Sequence, residues 1–233
     1  MIGNIQIEIC CGSITDVLTA SAFEEVDRIE LNSALELGGL TASLATLKAA
    51  KKYSSKKIVT MVRPRPAGFF YNEAEKETMF ADAKIFLENG ADGIVFGFLD
   101  DCHQIDEETT RKMTDMIHAC HKEAIFHKAF DAAEYPFRSM ETLIGCGIDR
   151  VLTSGREPDV TAGTPVLQQL QERYGNVIEI LPGGGVNAAN AKQVLQNTGC
   201  TQIHMSAKSN AYDLENYYAV DEDRIREVLD TLR

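Results

Sequence analysis

Short apolar runs alternate along the chain with longer segments in which apolar residues recur at helical spacing. The apolar runs have the length of β-strands and lie at residues 4–10, 27–32, 57–63, 92–98, 125–131, 149–153, 177–181 and 202–206. The helices predicted to follow them cover residues 13–25, 43–53, 72–89, 107–122, 136–146, 164–174, 187–198 and 221–232. Several of these helices begin at a capping residue, such as Ser43 or Asn72.

Eight strand–helix units predict an α/β fold with a single domain, a (β/α)8 or TIM barrel over residues 1–233. A doubly wound open sheet is the structural alternative, although eight such regular units favour the barrel. No Ser-rich or Pro-rich linker and no charge block interrupts the series. The one long irregular piece, residues 207–220, carries Tyr212, Tyr217 and Tyr218 and is open to two interpretations, a cover over a pocket or an oligomer contact.

Polar residues occupy every second position of several predicted strands, which indicates a polar barrel interior. In the first strand Ile7 and Ile9 share the face that helices must cover, so Glu8 and Cys10 face inward. The same alternation assigns to the interior Glu30, Asn32, Arg63, His127, Asp131, His204 and Ser206, and assigns Lys128 to the helix side. Parallel strands covered by helices are normally apolar on both faces, so this pattern favours a functional interior.

Four ionisable residues near the C-terminal ends of the strands, where sites in this fold are built, form a candidate catalytic acid–base set. They are Glu8, Glu30, His127 and Asp131. A histidine that is oriented by a carboxylate can transfer protons near neutral pH. The alternative is a buried polar network in which the luminal carboxylates and cations neutralise one another.

An anion-binding site is predicted at the same end of the barrel. Gly183, Gly184 and Gly185 precede the seventh predicted helix, and together with Ser206 they fall where TIM barrels commonly bind phosphate. Arg63 follows the third strand, and its guanidinium group suits a carboxylate or a phosphate. The alternatives are a flexible turn for the glycines and an ion pair with a luminal glutamate for the arginine.

The net charge narrows the range of partners. A formal charge of -12 and a pI near 4.9 argue against a nucleic-acid partner or an anionic membrane surface, although they allow an anionic ligand in one small pocket. The apolar runs are too short to span a membrane. The first residues lack the pattern of a signal peptide, so we expect a cytoplasmic protein.

The adjacent thiols Cys10 and Cys11 are the candidate metal ligands, because soft thiolates suit Cu(I) or Zn(II). Neighbouring residues of a strand point to opposite sides, so the alternative is that each is a buried apolar thiol. The six cysteines of the chain lack the dense spacing of a secreted disulfide framework.

The chain resembles the CutC family, named for copper homeostasis, in a series of ordered motifs. These are Glu8-Ile9-Cys10, Arg28-Ile29-Glu30-Leu31, Gly38-Gly39-Leu40-Thr41, Arg63-Pro64-Arg65, Gly90-Ala91-Asp92-Gly93, His127-Lys128-Ala129-Phe130-Asp131, Leu152-Thr153-Ser154-Gly155 and Pro182-Gly183-Gly184-Gly185. The resemblance implies a (β/α)8 barrel, a cytoplasmic location, an oligomer and a role with Cu(I). It maps the family's copper thiols onto Cys10 and, in some members, onto the position of Asn32, so that Cys11 would have to supply a second thiolate here.

Three functions are consistent with these features. The first is a cytoplasmic copper-homeostasis barrel that binds Cu(I) through Cys10, with Cys11 as a possible second thiolate. The second is an enzyme of the lyase or isomerase type that acts on a small anionic or phosphorylated metabolite by acid–base chemistry. The third is a non-catalytic scaffold in which residues 207–220 mediate assembly into a homo-oligomer.

Overall fold

The computed structural model describes residues 5–233, which form eight parallel strands in a nearly closed barrel with helices outside. The barrel strands are β1 (Gln6–Cys11), β2 (Arg28–Leu31), β3 (Lys57–Met61), β4 (Gly93–Phe96), β5 (Glu123–Phe126), β6 (Arg150–Thr153), β7 (Glu179–Pro182) and β8 (Gln202–Met205). A two-stranded antiparallel hairpin follows them, made of β9 (Lys208–Tyr212) and β10 (Asn216–Val220). The predicted TIM barrel is confirmed.

The helices surround the barrel on its outer side. They are α1 (Ile14–Ser21), α2 (Leu44–Tyr53), α3 (Glu73–Glu88), α4 (Glu107–Ala119), α5 (Ala129–Ala132), α6 (Pro136–Gly145), α7 (Thr164–Tyr174), α8 (Ala191–Thr198) and α9 (Glu222–Leu232). Leu35–Leu37 form a short 3-10 helix after β2. Side-chain caps fix several helix starts; Asn72, for example, makes a reciprocal capping box with Glu75 at the start of α3.

The strands pair in the order β7-β6-β5-β4-β3-β2-β1-β8. Within residues 5–233, no backbone ladder joins β7 to β8, which leaves a seam in the barrel wall. A side-chain bond spans this seam, since Gln202 Nε2 donates to Glu179 Oε2 at 3.3 Å. Gly183, just after β7, packs closely, because a Cβ there would lie 2.5 Å from Leu152 Cδ1 and 3.2 Å from His204 Cβ.

Apolar residues form two separate cores. The large core lies between strands and helices and contains Ile7 and Ile9, as the alternation predicted. A second, small cluster of Val59, Met61, Val95 and Ile125 joins β3, β4 and β5 and is separate from the large core.

Three aspartates directly before β2, β4 and β6 tie neighbouring strands together at the N-terminal end of the barrel. Each accepts a hydrogen bond from a backbone N–H of the preceding strand: Asp27 from Ile7 at 2.9 Å, Asp92 from Ile58 at 2.9 Å and Asp149 from Ala124 at 2.7 Å. The same device thus repeats in three consecutive strand pairs.

Several predicted element boundaries were wrong. The fifth strand ends at Phe126 rather than at residue 131, because the chain turns into α5 at Ala129. The helix predicted from residue 187 begins at Ala191, since Asn187 belongs to a turn in which it accepts from the N–H of Ala189 at 2.9 Å. Asn4, where the first predicted strand starts, lies outside the described residues.

The segment 207–220 is not irregular but contains the hairpin β9–β10. The side chains of β9 alternate between exposed and half-buried, and the first three residues of β10 are exposed, so the segment lacks the usual signature of a buried strand. The hairpin is anchored to the barrel, because the N–H of Val220 donates to Asp16 Oδ1 at 2.9 Å.

Candidate functional site

A cavity of about 440 Å³ lies at the C-terminal ends of the strands. Seven of the predicted site residues line it: Cys10, Glu30, Arg63, His127, Gly184, Gly185 and Ser206. Glu8, Cys11, Asp131 and Gly183 are not among its lining residues. The cavity also receives His204, Lys128 and Lys208, which are not among the predicted site residues named above.

The thiol of Cys10, the carboxylate of Glu30 and the ring of His204 meet at one wall of the cavity. One ligand atom from each lies within 4.8 Å of the others. The ladder explains the cluster, because β1 runs between β2 and β8 and pairs Cys10 with Glu30. These side chains offer sulfur, oxygen and nitrogen ligands to a single metal ion.

Glu8 lies behind this cluster, where it orients His204. It is only 2 % exposed, pairs with the Nε of Arg28 and lies 2.6 Å from His204 Nδ1. Burial opposes its charge, yet the attraction of Arg28 and the hydrogen bond from His204 hold the pKa of Glu8 well below its usual value. Because the ionised carboxylate must accept, His204 donates from Nδ1 and its Nε2 is left for a metal.

Asn32 and Cys10 both donate to Glu30 Oε2, at 2.7 Å and 3.4 Å. Burial raises the pKa of Glu30, an effect that the charge of His204 reduces. Burial, and next the charge of Glu30, also raise the pKa of the Cys10 thiol well above its ordinary value. Cys10 therefore holds its proton until a metal ion displaces it.

Arg63 and His127 bring two hydrogen-bond donors to another part of the cavity. The guanidinium of Arg63 is held by three backbone carbonyls, those of Gly38 at 2.9 Å, Gly39 at 3.2 Å and Ala67 at 2.9 Å. The ion pair of Arg63 with a luminal glutamate is not formed in this structure, because Glu8 pairs with Arg28 and Glu30 accepts from Asn32 and Cys10. Arg63 Nε is buried and has no hydrogen-bond partner among the described residues.

The ring of His127 is fixed in one tautomer. Its Nδ1 accepts from the N–H of Ala129 at 3.1 Å, so the ring hydrogen is on Nε2. Burial and the nearby charge of Arg63 lower the pKa of His127 to about 3. His127 is thus suited to donate a hydrogen bond rather than to take up a proton at neutral pH. Like Arg63 Nε, its Nε2 is buried without a partner in the described part of the chain.

Lys128 lines the cavity, whereas the alternation predicted that it would face the helices. The alternation ends with β5 at Phe126, and the following turn redirects the side chain. Its Nζ lies 3.7 Å from Asp131 Oδ2 and would lie 3.2 Å from a Cβ on Gly184. Gly184 has a φ of +103°, so a side chain there would be strained as well as crowded.

Asp131 supports a loop instead of joining the acid–base set. Its carboxylate accepts from the backbone N–H groups of Ser154 and Arg156, each at 3.0 Å, and from the hydroxyl of Thr153. These bonds shape the turn after β6. The structure does not bring Asp131 to His127 as a proton-transfer partner, because α5 separates it from the end of β5.

Cys11 lies on the opposite face of β1 from Cys10. It is fully buried in the outer core, and burial raises its pKa well above the ordinary value. The structure therefore does not place a second thiol beside Cys10. His204 lies there instead. The sequence predicted that His204 faces inward, but only the register of the strands shows that it meets Cys10 and Glu30.

Comparison with known proteins identifies relatives over most of the chain. The profile of the CutC family matches residues 5–209. A Treponema denticola family protein CutC is 45% identical over 204 residues, which are 88% of this chain and 82% of that protein. The human copper homeostasis protein cutC homolog is 36% identical over 203 residues, 87% of this chain and 73% of the human one.

Solved structures match as well. The crystal structure of CutC from Streptococcus agalactiae superposes with a TM-score of 0.81 at 29% identity, over 87% of this chain and 98% of that one. A phosphoribosylanthranilate isomerase from Pyrococcus furiosus reaches a TM-score of 0.61 at 14% identity, over 98% of each chain. At that identity the second likeness shows the barrel fold alone.

Proposed function

The chain belongs to the CutC family, and from this premise we propose that it serves copper homeostasis by binding one Cu(I) ion at Cys10, Glu30 and His204. The observation that carries the proposal is the convergence of these three side chains, with Glu8 holding the ring of His204 in place. At metal sites, a carboxylate commonly fixes the tautomer and the orientation of a ligating histidine.

The donor set suits a soft ion. A thiolate and an imidazole are ligands that Cu(I) accepts readily, and Glu30 adds a carboxylate oxygen that would help to balance the charge of the ion. Cys10 and His204 would hold the metal, Glu30 would complete the site, and Asn32 would orient Glu30. The same ligands also suit Zn(II), so the choice between the two ions has to be made by measurement.

The test is an anaerobic competition for Cu(I) with a chromogenic chelator. We expect one-to-one binding in the wild type, loss of that binding in Cys10→Ser and His204→Gln, and no loss in Cys120→Ser, which removes an exposed thiol far from the cavity in sequence. A parallel titration with Zn(II) ranks the two ions. Unchanged Cu(I) binding in Cys10→Ser would remove the basis of the proposal.

An enzyme of the lyase or isomerase type has less support. Its four proposed acid–base residues do not meet, since Glu8 is behind His204 and Asp131 is engaged in a loop. His127 carries its ring hydrogen on the unpartnered nitrogen and is neutral, so it lacks the basicity of a proton acceptor.

We also propose a cytoplasmic location and a homo-oligomer. None of the helices in residues 5–233 is long and apolar enough to cross a membrane. The hairpin β9–β10 exposes Tyr212, Leu214 and Tyr218, which makes it the candidate contact between copies. Light scattering after gel filtration tests the assembly: we expect a multiple of the monomer mass that falls in Leu214→Asp, and a monomeric wild type would contradict it.

A further inference from the structure

We propose that the cavity has a second subsite, which binds the anionic group of a small organic molecule through Arg63 Nε–H and His127 Nε2–H. This inference goes beyond the metal proposal and does not depend on it, because neither residue belongs to the metal-ligand cluster. The expected ligand carries a carboxylate or a phosphate, which share the acceptor chemistry that these donors require.

The size of the cavity is the first argument. A volume of about 440 Å³ falls in the range of sites for small organic ligands and far exceeds the space of one metal ion. His127 follows β5, which is four positions from β1 around the barrel, so it lies on a different wall of the cavity from Cys10. A bound metal at Cys10 would leave most of the cavity to another molecule.

The second argument is that two residues of the cavity lining each carry a buried donor atom without a hydrogen-bond partner. Arg63 is 7% exposed and His127 is 3% exposed, and both line the cavity. Within residues 5–233, neither Arg63 Nε nor His127 Nε2 forms a hydrogen bond. Burying a donor without a partner costs free energy, so such atoms in a cavity wall indicate a ligand that satisfies them.

Both donors are held rigidly in place before any ligand arrives. Backbone carbonyls fix Arg63, and the N–H of Ala129 fixes His127. The ring of Phe69 packs against both groups, at 5.0 Å from the guanidinium carbon and 5.0 Å from the imidazole centroid. Phe69 thus packs against both donor groups, and prior fixation reduces the entropy that binding must overcome.

The charged residues that line the cavity determine whether it favours an anionic ligand. A guanidinium cannot accept a hydrogen bond, and His127 presents an N–H because its other nitrogen accepts. Among the described residues that line the cavity there are three cations, Arg63, Lys128 and Lys208, against one carboxylate, Glu30. In a chain of net charge -12 this excess of positive charge is local, and it selects an anion.

The experiment is isothermal titration calorimetry of the metal-free full chain with inorganic phosphate, glycerol 3-phosphate, malonate and uncharged glycerol. We expect saturable one-to-one binding of at least one anion and none of glycerol. The comparison of the phosphates with malonate assigns the anionic group. Absence of saturable binding by all three anions would overturn the proposal.

Matched variants locate the binding. We expect His127→Phe, which keeps a ring against Phe69 but removes the donor, to weaken anion binding by about 10- to 100-fold, the usual effect of losing a hydrogen bond to a charged group. His118→Phe on the exposed side of α4 and Lys192→Ala on α8 should leave it unchanged, whereas Lys128→Ala should weaken it. Equal anion affinity in a folded His127→Phe variant would contradict the subsite.

The two proposals fail separately. Cys10→Ser should lose Cu(I) and keep the anion, whereas His127→Phe should lose the anion and keep Cu(I). Circular dichroism of each variant confirms that the barrel is folded. If His127→Phe binds the anion normally while Cys10→Ser loses Cu(I), only the anion subsite is rejected.

Discussion

Glu8 shows at the scale of single residues how a carboxylate can serve a site that it does not touch. Replacing it in Glu8→Gln removes the charge that fixes the Nδ1–H of His204, so we expect Cu(I) affinity to fall by about 10- to 100-fold. The variant also leaves Arg28 buried without its counter-charge, which should cost about 3–5 kcal/mol of unfolding free energy. Chelator competition and urea unfolding measure the two effects.

The exposed Glu77→Gln on α3 is the matched control, since it makes the same chemical change away from the barrel interior. Both quantities should stay at their wild-type values in that variant. Wild-type Cu(I) affinity in Glu8→Gln would show that His204 does not need its carboxylate partner.

The pKa values of the two buried histidines are shifted in opposite directions. The pKa of His127 is lowered to about 3, chiefly by burial, whereas Glu30 and Glu8 raise the pKa of His204 against the cost of burial. In nitrogen NMR spectra of the metal-free protein, His127 should show a neutral ring with Nε2–H between about pH 8 and pH 4. His204 should change its protonation above the ordinary histidine value of about 6.5. A midpoint for His127 near neutral pH would contradict this assignment.

The linkage for His127 has a definite sign. Because its folded pKa lies below that of the unfolded chain, the unfolded state binds more protons between about pH 6.5 and pH 3. This residue therefore lowers stability as pH falls through that window and has no effect above it. The fall in unfolding free energy between neutral pH and pH 5 should be smaller in His127→Phe than in the wild type.

The sequence could predict which side chains face inward but not which of them meet. The alternation placed Glu8, Glu30 and His204 on the inner side, and the structure agrees. Their contact depends on the register of β1 with β2 and β8, which joins residues far apart in sequence. For Asp131 the alternation itself stopped, because a helical turn replaced the strand.

At the scale of secondary-structure elements, the aspartates before β2, β4 and β6 act as clamps between strands. Asp92 is the best placed to test, since it also accepts from Lys51 Nζ at 2.6 Å and from Lys122 Nζ at 3.3 Å. Burial would raise its pKa, but the N–H of Ile58 and the two lysines lower it. We expect Asp92→Asn to cost about 1–2 kcal/mol at neutral pH, allowing for partial exposure.

The pH dependence of this clamp follows from the lowered pKa of Asp92. Its stabilisation is fully present above the unfolded value of about 4 and is lost as pH falls through the folded value. The difference between wild type and Asp92→Asn in urea unfolding should therefore shrink in acid. Asp115→Asn, an exposed change on α4, is the matched control and should leave urea unfolding at neutral pH unchanged.

The hairpin β9–β10 is an element that the pattern of apolar residues could not predict. Buried strands and amphipathic helices leave a pattern because one face must be apolar, and each barrel unit was found by that pattern. The hairpin is held by its ladder and by two contacts at its ends, those of Val220 with Asp16 and of Ser209 with Asp221. Its residues are mostly exposed, so no apolar face records it in the sequence.

At the scale of the whole molecule, eight regular strand–helix units favoured the barrel over an open sheet, and the structure agrees. The cavity could not be predicted in the same way. Met61 of the small apolar cluster is part of its lining, and its walls depend on how the loops after β3, β5 and β7 converge.

Hydrogen exchange gives a prediction for the molecule as a whole. Backbone amides of β7 and β8 that face the seam have no ladder partner in the described structure, so they should exchange faster than those between β1 and β2. Mass spectrometry of peptides covering residues 179–182, 202–205 and 6–11 measures the contrast. Equal protection in all three peptides would show that the ring closes in solution.

The seam between β7 and β8 is the one place among the described strands where the barrel wall lacks a backbone ladder. The two edges of the seam carry Gly184 on one side and His204 on the other, so they can part slightly without breaking any backbone bond between strands. A ligand that contacts both β7 and β8 would hold the two strands together. Ligand binding and closure of the barrel would then be coupled, so the ligand-bound protein should resist unfolding more than the ligand-free protein.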